Sequence, residues 1–214
     1  MKRGLFVTFE GSEGCGKSTQ IRHLSAWLDK TAQPCLTTRE PGGTAAGDRI
    51  RDLLQHAPEG HALVPEAELF LFAASRAQHV REVIRPALAR GEVVISDRFH
   101  DSTTVYQGVA RQLEPEMART VNGFAIGDTL PDVTFLLDMD AAEAHRRIAQ
   151  RDQPADRMES EPLAFYQAVR QGYLRAAADE PARFVVLDAT RPEEQLAAQI
   201  RGILNEKFHG FFAR

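Results

Sequence analysis

The sequence predicts an α/β fold built on a mostly parallel sheet with helices on both faces. Five short apolar runs, rich in β-branched and aromatic residues, recur along the chain as LFVTFE (5–10), CLTT (35–38), VVISD (93–97), VTFLLD (133–138) and FVVLD (184–188). The segments between them have helical periodicity, and parallel neighbours need such crossovers. Several of the runs close on an acid, among them Glu10, Asp97 and Asp138. In open α/β sheets the ligand crevice lies beyond those carboxyl ends, so the chemistry is expected there.

The first strand leads into FEGSEGCGKSTQ (9–20). Gly11, four residues, then Gly16, Lys17 and Ser18 form the pattern of a loop whose backbone N–H groups converge on phosphates, with the next helix directing its positive end at them. Gly11, Ser12, Glu13, Gly14, Cys15, Gly16, Lys17, Ser18 and Thr19 are therefore the expected ATP-binding segment. Lys17 reaches the β and γ phosphates, Ser18 holds Mg²⁺, and Thr19 continues into the helix QIRHLSAWL. Glu13 is out of place in an anion site unless it points to another ligand. Cys15 reads as a small residue tolerated in the loop.

The second strand runs into TREPGGT (38–44), where Pro41, Gly42 and Gly43 make a tight turn and Thr44 can cap the next helix. A helix is predicted over 66–90 with a core stripe of Phe70, Ala73, Ala77, Ile84 and Leu88. Leu69, Phe72, Arg76 and Val83 occupy a neighbouring stripe. Phe72 and Arg76 stand one turn apart, so a flat ring and a forked cation can enter one cavity, although an aromatic at this spacing also suits plain core packing. Asp97, ending the third strand, stands where such enzymes place a carboxylate that orients Mg²⁺ through water. Arg98 follows, where hydrolytic relatives carry an acid that activates water; an arginine suits an anionic acceptor or a spreading transition-state charge.

Farther on, AHRRIAQRDQPADRMES (144–160) places Arg147 and Arg151 on one helical face, with Arg157 beyond a proline-containing loop. The stretch 151–162 reads as neither helix nor strand and is the expected mobile flap. LDATRPEEQL (187–196) ends the last strand and opens the last helix, with Pro192 at its first turn. FHGFF, near the C-terminus, has no assigned role.

Composition narrows the function. The chain has 214 residues, 43% of them apolar, a net charge of −4 and a pI near 6.0. It is long enough for one domain with a full core, and no global positive field draws nucleic acid or anionic membrane. Two cysteines are too few for a disulfide framework or a zinc site and point to a reducing compartment. No signal-type segment opens the chain and no run reaches about 18 apolar residues, so a cytoplasmic protein is expected.

FEGSEGCGKST, TREPGGT, LFAASRAQHV (71–80), SDRFHDSTTVYQG (96–108) and the Asp156-Arg157 pair occur in an order and spacing that resemble the thymidylate kinases. The resemblance runs from residue 5 to about 195. Its specific part is the Asp-Arg segment with Ser102, Tyr106 and Gln107, since the phosphate loop alone is shared widely. It implies a P-loop nucleoside monophosphate kinase fold: a five-stranded parallel sheet flanked by helices, with a mobile lid at about 146–160.

The implied activity is transfer of the γ-phosphoryl of ATP to dTMP, with Mg²⁺, giving dTDP on the way to dTTP. Lys17, Asp97, Arg98, Arg151 and Arg157 are the implied catalytic residues, with Arg147 on the ATP side. On the acceptor side, Phe72 stacks on thymine and Arg76 donates to a ring carbonyl. Thr103 and Gln107 lie near the base edge, Tyr106 crowds the 2′ position, and Glu13 faces the 3′-hydroxyl. Arg39, Glu40, Arg51, Arg98 and Ser102 complete the dTMP site. Arginines in the lid, with none in the phosphate loop, match the bacterial type, and family members are homodimers. A regulatory GTP switch would need an Asn-Lys-x-Asp reader and an Asp-x-x-Gly segment, and the chain has neither. A kinase for another nucleoside monophosphate is the remaining alternative.

Overall fold

The computed structural model describes residues 3–55, 63–110, 113–150 and 161–212. The five apolar runs form β1 (Phe6–Glu10), β2 (Cys35–Arg39), β3 (Val93–Asp97), β4 (Val133–Asp138) and β5 (Phe184–Asp188). All pair in parallel, in the order β2-β3-β1-β4-β5. The helices are α1 (Lys17–Lys30), α2 (Ala45–Gln55), α3 (Pro65–His79), α4 (Arg85–Ala89), α5 (His100–Thr103), α6 (Pro115–Ile126), α7 (Ala141–Ala149), α8 (Leu163–Asp179), α9 (Glu193–Lys207) and α10 (His209–Phe212).

The central strands β3, β1 and β4 are covered on both faces, which is why they read as nearly unbroken apolar runs, whereas the edge strands β2 and β5 are partly exposed. Along β1, Val7 and Phe9 pack with Ile21, Leu24 and Leu28 of α1 and Leu196 and Ile200 of α9. Phe6 joins Val80, Ile84, Leu88, Val94, Phe99 and Ile126 in a separate cluster. The buried Thr8 hydroxyl is satisfied by the Thr134 hydroxyl of β4, 2.8 Å away. The chain leaves β1 toward β2 and β3 and later returns to β4 on its other side, making β1 the switch point where a crevice opens. Register places Phe9 opposite Asp97, and Arg39 opposite Asp97, so the ends of three strands converge.

The long helix expected over 66–90 is interrupted. α3 passes at Val80–Ile84 through a π turn into α4. One extra residue in the winding rotates the downstream turns by about 100°. The predicted stripe is only partly core: Ala73, Ile84 and Leu88 are buried, whereas Phe70 is 59% exposed. A second π turn, Thr104–Ala110, comes after α5 and packs on α8 through Val105, Tyr106, Phe165 and Tyr173. The C-terminal aromatics close the end of the core beside α1, with Phe212 and Trp27 ring centroids 5.5 Å apart. Among the described residues, no helix is long and apolar enough to cross a membrane.

Candidate active site

The phosphate loop joins β1 to α1. Gly11, Gly14 and Gly16 hold φ of 134°, 78° and 93°. At Gly11 a Cβ would come within 2.6 Å of the Leu137 carbonyl, so glycine is required by both backbone and space. Lys17 folds back over the loop and donates to the carbonyls of Ser12 (2.8 Å) and Gly11 (3.1 Å). Ser18 Oγ donates to Asp97 Oδ2 at 3.1 Å, bringing together the two residues expected at the metal.

Both supply hard oxygen, and the described residues hold no cluster of three or more His, Cys, Asp or Glu side chains able to make an all-protein cage. That donor set fits Mg²⁺, which takes one or two protein oxygens and fills its octahedron with phosphates and water.

A cleft of about 450 Å³ opens beyond the carboxyl ends of β1 and β3. The loop contributes Glu13, Gly14, Gly16, Lys17, Ser18 and Thr19 to its wall, and Asp97 and Arg98 face them. Gly11, Ser12 and Cys15 are buried and do not line it. Arg98 has a φ of 69°, a left-handed backbone that non-glycine residues avoid. Its N–H donates to the Phe9 carbonyl (3.0 Å), and its carbonyl accepts from Ser96 Oγ (2.7 Å), which pin it there.

The Arg98 guanidinium is fully engaged at its fork. Nη2 donates to Glu13 Oε1 (2.7 Å) and the Tyr106 hydroxyl (3.2 Å). Nη1 donates to the Tyr173 hydroxyl (3.0 Å) and Ser102 Oγ (3.2 Å). Burial works against its charge, but Tyr106, Glu13, Tyr173 and Glu10 outweigh burial and hold its pKa well above the ordinary value. Burial likewise raises the Glu13 carboxyl, and Arg98, Lys17 and the Tyr106 hydrogen bonds reverse that, leaving it below its usual range. The awkward carboxylate of the phosphate loop is thus ionised and paired to the arginine across the cleft.

Phe72, Arg39, Glu40, Arg51, Ser102, Thr103, Tyr106 and Gln107 line the rest of the cleft. The Thr103 hydroxyl is buried there with no hydrogen-bond partner among the described residues. An orphaned polar atom of this kind calls for an explanation, and a bound ligand supplies one. Gln107 Nε2 donates to the buried Glu68 carboxylate at 3.1 Å. A carboxylate only accepts, so one amide N–H is given to Glu68, and the amide oxygen and the second N–H remain. Arg51 Nη1 donates to the Pro41 carbonyl at 3.0 Å.

Arg76 departs from expectation. It is 1% exposed and does not line the cleft. Its Nε donates to Glu40 Oε2 (2.7 Å), Nη1 to Asn122 Oδ1 (2.7 Å) and Nη2 to the Phe99 carbonyl (3.3 Å). A buried carboxylate at the sheet edge must be paired, and Glu40, held also by His79 Nδ1 at 3.0 Å, takes the guanidinium inward. Arg76 here buttresses Glu40 instead of reaching into the cavity.

On the opposite side, α7 is capped by Asp140, whose Oδ1 accepts from the Ala142 N–H at 2.9 Å. Arg147 Nε donates to Glu143 Oε1 at 2.9 Å. Hydrogen bonds from Arg146 and Arg147 pull the Glu143 carboxyl down to about 2. Arg151 and Arg157 lie outside the described residues.

Sequence reasoning missed Tyr173, Glu68 and Asn122, and gave Glu10 no role beyond ending a strand. Tyr173 sits at core spacing on α8 with Phe165 and Val169, so nothing local marks its hydroxyl as a partner of Arg98. Glu10 carried a legible signal: an acid ending an apolar strand one residue before the first loop glycine.

Comparison with known proteins agrees with this geometry. A profile described as thymidylate kinase matches residues 9–200. A thymidylate kinase of Bifidobacterium longum (strain DJO10A) is 49% identical over 205 residues, covering 95% of this chain and 98% of that protein. One from Deinococcus radiodurans is 48% identical over 210 residues, covering 98% of this chain and 100% of that protein. A third, from Trichlorobacter lovleyi, is 49% identical over 201 residues, covering 92% and 94%.

Proposed function

Since the chain belongs to the thymidylate kinase family, we infer that its cleft transfers the γ-phosphoryl group of ATP to the 5′-phosphate of dTMP, giving dTDP and ADP. One observation supports this reading above the rest. Lys17, Arg98 and Phe72 line one cavity, so two anions can meet there with a ring platform beside them.

The chemistry needs little from the protein in bond making. An oxygen of the dTMP phosphate attacks the γ-phosphorus in line, the bond to the β–γ bridging oxygen breaks, and ADP leaves with that electron pair. A phosphate monoester dianion is already deprotonated, so no general base is required. The protein contributes position and charge. Loop N–H groups and Lys17 hold the donor phosphates, the charge of Arg98, its fork held by protein partners, draws in the acceptor phosphate and offsets the transition-state charge, and Glu13 keeps Arg98 aimed. Ser18 and, through water, Asp97 would hold Mg²⁺, which would supply charge neutralisation at the donor phosphates.

On the base side we assign stacking to Phe72 and hydrogen bonding to Thr103 and the Gln107 amide oxygen. Crowding at the 2′ position falls to Tyr106, and phosphate contacts fall to Arg39 and Arg51. Arg147, Arg151 and Arg157 belong to a lid over about 146–160 that excludes water, without which ATP is hydrolysed. The whole chain then works as one kinase domain, in the cytoplasm.

We also infer a homodimer. Leu53 of α2, Phe70 of α3 and Met117 and Phe124 of α6 are exposed large apolar residues on helices that pack side by side, a patch that monomers rarely leave to water.

A coupled assay of ADP release with a panel of nucleoside monophosphates tests the reaction. Turnover should need an acceptor and favour dTMP over dUMP, dCMP and TMP. Equal use of several bases would support a broader monophosphate kinase, and phosphate release without acceptor would indicate an ATPase.

A further inference from the structure

Glu10 is fully buried behind Arg98, and nothing in the proposed reaction uses it. Its Oε1 accepts from the Phe99 N–H at 2.8 Å. Its Oε2 accepts from Ser102 Oγ at 2.7 Å and from the Tyr173 hydroxyl at 2.8 Å. Those two hydroxyls are the ones to which Arg98 Nη1 donates. The hydrogens can be counted. Each hydroxyl has one, an ionised carboxylate accepts only, and the two hydroxyl oxygens also lie 2.9 Å apart; with both hydrogens given to Glu10, both oxygens turn lone pairs to Nη1. Nη1 has two N–H bonds for them, and Nη2 has two for Glu13 and Tyr106.

We propose that Glu10 is a positioning residue for phosphoryl transfer: by taking the Ser102 and Tyr173 hydrogens it sets the polarity of the hydroxyl pair that holds Arg98 across the cleft. This rests on the transfer of a phosphoryl group to dTMP. Its own claim is that the charge of Glu10, not merely its shape, holds the arginine in its productive aim. The groups facing Glu10 are Arg98 beyond β3, Asp101 and Ser102 around α5, and Tyr173 of α8. Burial, then Asp101, raise its pKa to about 7 against the pull of Arg98 and the two hydroxyls, so its charge is contested near neutral pH.

Glu10→Gln separates charge from shape. The amide oxygen stays on the Phe99 N–H, and the amide nitrogen takes the place of Oε2. There it donates to Ser102 and Tyr173, turning their hydrogens toward Arg98. The full chain, assayed with Mg·ATP and dTMP at pH 8, should lose kcat by about 10- to 100-fold with both KM values within about 3-fold, as when an interaction made in the transition state is removed. Thermal stability at pH 8 should not fall. Between pH 8 and 6 the wild type should lose kcat along a limb absent from the variant. The phosphate of dTMP, with a second pKa of about 6, contributes equally to both.

If the variant keeps kcat within 2-fold and the same pH profile, the proposal fails. It fails also if kcat and stability drop together with raised KM, the pattern of a merely structural residue. Should Glu10→Gln not fold, Tyr173→Phe removes one of the two hydroxyls and leaves the charge. A kcat loss of about 3- to 10-fold at unchanged KM supports the proposal, and an unchanged kcat overturns it. If phosphoryl transfer to dTMP is itself wrong, neither protein makes ADP in response to dTMP, a result distinct from all of these.

Discussion

At the scale of single residues, the site is a contest between burial and charge, and each outcome has a measurable sign. Glu13 has a pKa lowered from 4.5 by Arg98 and Lys17 in spite of its burial. A depressed carboxyl adds stability that is present above the unfolded value and is lost as pH falls through the folded one. Urea unfolding at pH 5.5 and at pH 3 should therefore show a smaller acid loss in Glu13→Gln than in the wild type. Glu10 has the opposite sign, with a pKa near 7 in the fold against 4.5. Its ionisation costs stability as pH rises between those values, on the order of a few kcal/mol by pH 8. Glu10→Gln should raise the melting temperature at pH 8, and a lowered one would contradict this. Arg98→Lys keeps the charge and loses the fork, so kcat should fall by about 10²- to 10³-fold in the ADP assay. That Lys17, Ser18, Asp97 and Arg98 meet in one cleft was legible because their placement follows from position beside a loop or strand end. Arg76 was not, because helical spacing alone cannot tell a cavity-facing guanidinium from one drawn inward by a buried acid.

At the scale of elements, the strands were the most legible feature, since the central parallel strands, covered on both faces, must be apolar nearly throughout. The break at Val80–Ile84 was not, because a π turn has no residue signature here. Val80 and Ile84, at its two ends, are both buried in the cluster around Phe6. α7 shows a local rule at work. Asp140 satisfies free N–H groups at its start, and Asp138, at the end of β4, pairs with Arg170 of α8 at 2.8 and 2.9 Å. Asp140→Ala should lower unfolding stability by about 1 kcal/mol, whereas Asp140→Asn, still able to cap, should lose much less. Equal losses in urea titrations would mean that the ion pair with Arg170, 3.4 Å away, and not the cap, holds this helix. The tail FHGFF, unreadable as a motif, is explained by contact: its rings finish the core beside Trp27.

At the scale of the whole molecule, the carboxyl end of the sheet collects a phosphate loop, a paired arginine and a ring-lined cavity, while another side leaves apolar residues in water. Phe124 is 85% exposed, which no property of the cleft requires. Phe70→Glu with Phe124→Glu should halve the mass in sedimentation equilibrium if those helices form the dimer; a wild type sedimenting at 23.8 kDa would remove that surface from the account. The central claim is that donor and acceptor phosphates meet between Lys17 and Arg98. A crystal structure with ADP and dTMP bound tests it most directly. The β-phosphate of ADP should lie on Lys17 and the dTMP phosphate on Arg98, with thymine against Phe72 and room for one phosphoryl group between them. A dTMP bound away from Phe72 and Arg98, with the cleft closed to it, would contradict the account.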